Sequence, residues 1–117
     1  MWIFTIDAFL SIVDKGANPG DLMVRGRADG DIERVFPNVK VVKGAGTDYL
    51  FRASIPRKEV ADVIAQQIMD IDYPNFKGAT TEDDRHDAYF GAWRSMMAFQ
   101  TKRDAPNAKR KKQTDLF

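Results

Sequence analysis

The 117-residue sequence predicts an α+β domain: one antiparallel sheet of about five strands, with two or three helices packed on one of its faces. Three observations lead there. Short β-rich runs separated by turn residues fill the chain as far as Ile55, and after Pro56 the apolar residues switch to helical spacing. A hydrophobic content of 44% is enough for one core in about 100 ordered residues and not for two.

Residues 2–6 and 9–13 are aromatic and β-branched runs either side of Asp7-Ala8, a pattern that predicts a hairpin. Asn18-Pro19-Gly20-Asp21 joins a fixed φ to a glycine and so predicts a turn. After it, residues 22–27 alternate as a strand, and residues 29–36 form a short helix stopped by Pro37. Residues 39–43 and 48–55 pair as a second hairpin around Gly44-Ala45-Gly46. The alternation suits an antiparallel sheet with one dry and one wet face.

Pro56 suits a first helical position, and Glu59 complements the dipole at that end. Val60, Val63, Ile64, Ile68 and Ile71 then make one apolar stripe, which residues 72–78 interrupt. Thr81 with Asp84 predicts a capping box for a longer helix. On it Tyr89, Ala92, Trp93, Met96 and Gln100 line one face, widened by Phe90 and Met97. Residues of these types are expected in the core. The width of the face also suits a homodimer seam. Residues 22–71 read as β-α-β-β-α, a ferredoxin-like arrangement whose sheet the N-terminal hairpin would complete.

Composition narrows the function. With no cysteine, disulfides, thiol chemistry and Cys-based zinc sites are excluded. The opening Met1-Trp2-Ile3-Phe4-Thr5-Ile6 lacks the basic start of a signal peptide, and no apolar run has transmembrane length, so a cytoplasmic protein without membrane association is expected. His86, the only histidine, sits in an acidic turn with Asp83, Asp84 and Asp87. The spacing of Asp70, Asp72, Asp83 and Asp87 matches no metal motif, and Gly44-Ala45-Gly46 lacks the strand-to-helix context of a phosphate loop. The expectation is a binding protein, not an enzyme, with neither cofactor nor metal.

The positive charge is concentrated at one end. Residues 102–117 hold six Lys or Arg and two acids, which leaves residues 1–101 with 12 basic and 15 acidic side chains, a net charge of −3. Pro106 should stop the preceding helix and leave a disordered, basic tail after a globular domain of residues 1–101. Lys109, Arg110, Lys111 and Lys112 would then attract nucleic-acid phosphates or serve as a plain spacer.

Gln113-Thr114-Asp115-Leu116-Phe117 follows this polar run. Two large apolar side chains after a segment that cannot build a core are best used in another protein's pocket. At average residue usage, Gln-x-x-Leu-Phe in one fixed register arises by chance on the order of once in several thousand chains. The segment resembles the clamp-binding motif of bacterial replication and repair proteins, whose usual form is Gln, any residue, Asp or Ser, Leu, Phe. That resemblance implies a docking peptide for the bacterial DNA sliding clamp, the DNA polymerase III beta subunit. Gln113 would fill a small polar pocket, Leu116 and Phe117 a hydrophobic cleft, and Asp115 and Thr114 would matter less. A replication or repair accessory, nucleoid-associated through the clamp, or a phage modulator of host replication would carry such a peptide.

Across residues 1–100, Val24-Arg25-x-Arg27, Asp31-Ile32-Glu33-Arg34, Tyr49-x-x-Arg52-Ala53, the run from Ile71 to Lys77 and the Tyr89-x-x-x-Trp93-x-x-Met96-x-x-x-Gln100 helix resemble a group of small uncharacterised bacterial and phage proteins that open with Met-Trp-Ile. That resemblance implies a bacterial setting and no activity. If Leu22, Val24, Tyr49 and Phe51 face the helices, alternation puts Arg25, Arg27 and Arg52 together on the other face, with Lys40 near them. Such a face is either a solvated surface of paired arginines or a site for nucleic-acid backbone, which with the basic tail makes a nucleic-acid-binding module the alternative function.

Overall fold

Side-chain alternation is what folds the first part of the chain. The structure is a computed structural model that describes residues 1–44 and 48–115, the last ten of these by their backbone alone. It divides into two units, Met1–Ala79 and Thr80–Phe117. In the first, β1 (Trp2–Phe4), β2 (Phe9–Val13), β3 (Asp21–Gly26), β4 (Val42–Lys43) and β5 (Phe51–Pro56) form one antiparallel sheet in the order β1-β2-β3-β5-β4. The α+β expectation holds, with α1 (Asp31–Val35) and α2 (Arg57–Met69) against one sheet face and a short α3 (Phe76–Ala79) after them. β5 lies between β3 and β4, and the N-terminal hairpin completes the sheet beside β3, as the β-α-β-β-α reading required.

The dry face carries Leu10, Ile12, Val24, Ala53 and Ile55 from the strands, closed by Ile32, Val35 and Phe36 at α1 and by Val60 of α2. Burying each large apolar side chain stabilises the fold by roughly 1.5–3 kcal/mol. α1 sits close because Gly26 of β3 has no side chain: a Cβ there would lie 3.3 Å from Ile32 Cγ1. Gly30 caps the helix at φ 89°, a left-handed conformation that glycine adopts without steric cost. Asp31 then ties helix to sheet. Its carboxylate, 1% exposed, accepts from Phe9 N at 3.0 Å and from Arg34 Nη1 at 2.7 Å.

Several boundaries differ from expectation. β1 ends at Phe4 because Thr5 belongs to the turn: Thr5 N donates to Ala8 O at 2.8 Å, and the Thr5 hydroxyl donates to Asp7 Oδ1 at 3.1 Å. The second hairpin is shorter than predicted, with only Val42 and Lys43 on its first strand, and its turn, residues 45–47, lies outside the described residues. The stripe of α2 is buried only in its first half. Val60, Val63 and Ile64 meet the core, whereas Ile68 and Ile71 are exposed, lining with Ile3 and Phe4 of β1 a groove that no side chain fills. Residues 76–78, expected to be part of the break, belong with Ala79 to helix α3, before which Asn75 Oδ1 accepts from Gly78 N at 3.1 Å.

The second unit is one helix, α4 (Asp83–Asp115). It begins later than the Thr81 capping box proposed, since the Glu82 carbonyl accepts the first intrahelical bond, from His86 N at 2.8 Å. It also continues through Pro106, where a stop was expected. The run Ala105, Ala108 and four Lys or Arg favours helix, although Pro106 removes one backbone donor. The face expected to be core is instead largely exposed. Tyr89 is buried, but Phe90, Trp93, Met96 and Met97 are exposed, and so is Phe99 on another side. Apolar residues spread around a helix cannot all meet one packing surface.

Candidate functional site: an arginine and aromatic sheet face

Pairing registers place one residue of each strand in a single row on the face away from α1 and α2. Trp2 of β1 pairs with Ser11 of β2, Ser11 with Arg25 of β3, Arg25 with Arg52 of β5, and Arg52 with Val42 of β4. Directly paired residues of an antiparallel sheet point to the same side. The expected union of Arg25 and Arg52 is therefore present, and it is a direct cross-strand contact of like charges. Such a pair is destabilising by up to about 1 kcal/mol.

Arg25 Nη2 donates to the Ser11 hydroxyl at 2.6 Å and thereby buries it. Among the described residues neither Arg25 nor Arg52 has a carboxylate partner within ion-pair distance, and the Nε of each is buried with no hydrogen-bond acceptor. Arg27 differs. It pairs with Asp48 at 3.1 Å, both side chains more than half exposed, an ion pair worth at most about 1 kcal/mol. The Asp48 hydrogen bond raises the Arg27 pKa above its already high ordinary value, so this guanidinium is charged at any physiological pH.

Tyr49 was expected to face the helices and does not. Its ring is 2% exposed and carries two guanidinium groups over it, Arg25 Cζ at 4.4 Å and Arg27 Cζ at 4.1 Å from the centroid. β5 begins only at Phe51, so strand alternation does not govern residue 49. Attraction between guanidinium and ring does. Lys40 lies in the connection before β4, outside the sheet.

Sequence reasoning missed the aromatic part of this face. Phe4 pairs with Phe9, two positions from Trp2 and Ser11, so Trp2, Phe4 and Phe9 share the face of the arginines. Phe4 and Phe9 have ring centroids 4.6 Å apart, and Trp2 meets Phe9 edge to face at 5.9 Å. Trp2 is 67% exposed. The signal was available in the alternation Trp2-x-Phe4 opposite Phe9-x-Ser11, once the hairpin is closed with residues 5–8 as its turn. Acids on the face stand at its ends: Asp21, which accepts from Ser54 Oγ at 2.9 Å, and Asp48.

The other predicted site residues stand apart. Lys109, Arg110, Lys111, Lys112, Gln113 and Asp115 belong to the last part of α4, where only the backbone is described, and Leu116 and Phe117 lie outside the described residues. Among the described residues no three His, Asp or Glu side chains converge as a metal site, and no helix is long and apolar enough to cross a membrane. Comparison with protein-family models, with curated proteins and with solved structures finds no match to this chain.

Proposed function

We propose that this chain is a sliding-clamp-binding protein, a replication or repair accessory or a phage modulator of host replication, that docks on the bacterial clamp through Gln113, Asp115, Leu116 and Phe117. The observation that carries this reading is the Gln113-Thr114-Asp115-Leu116-Phe117 pattern, in which every position of the clamp-binding motif is filled. The chemistry suits the role. Leu116 and Phe117 supply an apolar anchor, while the Gln113 amide, able to donate and accept, sets the register in which they enter.

Docking in an extended form requires the final turns of α4 to unwind, and the sequence makes that inexpensive. Pro106 lacks a backbone donor, and Lys109 with Lys112 puts like charges at an i,i+3 spacing that disfavours helix. Ordering the released segment offsets part of the contact energy, so the expected affinity is micromolar, about 8 kcal/mol.

Calorimetry with a purified bacterial clamp tests the proposal. Gln113→Ala should weaken binding about tenfold, and Leu116→Ala with Phe117→Ala should abolish it. Binding that survives all three substitutions would sink the reading. Addition of a clamp-loaded polymerase then separates the two roles: a modulator lowers its processivity, and an accessory leaves it unchanged.

A further inference from the structure

We infer that two copies of this chain pair through α4, in antiparallel orientation, with Met96, Met97 and Phe99 at the centre of the contact. The inference is independent of the clamp peptide and of the sheet, because every residue it uses lies between Thr80 and Lys112.

Exposure locates the surface. Every residue from Trp93 to Ala105 is exposed, whichever side of the helix it stands on. Yet the stretch carries Met96 at 62%, Phe99 at 49% and Met97 at 42% exposure. These three, with Gln100, line one shallow groove along the helix, Met97 on one side of Met96 and Phe99 on the other. Most helices in proteins owe their stability to the packing of an apolar face, and a stretch that buries none of its sides within the chain gains that packing only from a second molecule.

Charge identifies that molecule as another copy and fixes its direction. Residues 82–87 hold four acids and one arginine, whereas residues 107–112 hold four Lys or Arg and no acid. Met97 lies midway between Glu82 and Lys112. Two antiparallel helices that meet at Met97 therefore set residues 82–87 of each copy beside residues 107–112 of the other, so opposite charges adjoin at both ends. Parallel pairing would set acid beside acid and base beside base. The helix is complementary to itself in one direction only.

The test uses the full chain. Sedimentation equilibrium should show a reversible dimer that weakens as salt is added. Met96→Glu combined with Met97→Glu should weaken it by about tenfold or more. Ala98→Glu, on the opposite side of α4, should leave it unchanged. Both methionines are exposed, so the double variant should keep the urea midpoint of the parent chain under conditions where both are monomeric. The chain has no cysteine, so introduced cysteines report the direction of pairing. Chains with Asp83→Cys mixed with chains with Lys111→Cys should cross-link on mild oxidation. Neither variant alone should do so, because the two copies of residue 83 stand about 42 Å apart in the antiparallel pair. A monomer at every concentration, a dimer indifferent to the paired glutamates, equal loss from Ala98→Glu, or self-cross-linking of each single variant would each overturn the inference.

Discussion

The two faces of the sheet are built from the same strands and differ only in which alternate residues they receive. On one face Leu10, Val24, Ala53 and Ile55 are buried against Ile32, Phe36 and Val60, with Ile3 and Leu22 partly buried at its margins. On the other, Trp2 stands in solvent and Arg25 opposes Arg52 across a strand pair. Like charges set directly opposite each other oppose folding, and the exposed indole adds nothing to the core. The contrast teaches that the face against α1 and α2 makes the fold, and that the other face holds Arg25 by the Tyr49 ring and the Ser11 hydroxyl instead of by a carboxylate.

The largest expected effect belongs to the dry face. Phe36→Ala removes a fully buried ring between α1 and the sheet and should cost about 3–5 kcal/mol, read as a lower urea midpoint at unchanged slope. Next comes the bond that joins hairpin to helix. Asp31→Asn keeps the shape but loses the charge-assisted bonds from Phe9 N and Arg34, with an expected loss of about 1.5–3 kcal/mol in the same measurement. The smallest effect should come from the wet face. Arg52→Met relieves the cross-strand repulsion and should change stability by no more than about 0.5 kcal/mol, in either direction. Were Arg52→Met to unfold the protein as Phe36→Ala does, the two faces would be equally structural and the distinction would collapse.

The fold was readable where local rules act alone. Strand and helix positions up to Ile64 follow from alternation, from Asn18-Pro19-Gly20-Asp21 and from Pro56, and the placing of Arg25 and Arg52 on one sheet face follows from the same period of two. The failures lie where a partner surface or the neighbouring chain decides. Ile68 and Ile71 match the stripe of α2 but line a groove beside β1 that no side chain fills, and Trp93 and Met96 match a core stripe yet stand exposed. Tyr49 sits just outside β5, so the cations beside it and not the strand period set its direction.

The sequence by itself determined the α+β class, the order of elements, the concentration of basic charge in residues 102–117 and the clamp-like pattern of residues 113–117, because each depends on neighbours along the chain. Only the tertiary structure decided that Trp2, Phe4 and Phe9 join Arg25, Arg52 and Tyr49 on one surface. That assembly depends on strand register and on β5 inserting between β3 and β4. Register is a relation between segments distant in sequence, and its sign cannot be read from either segment alone.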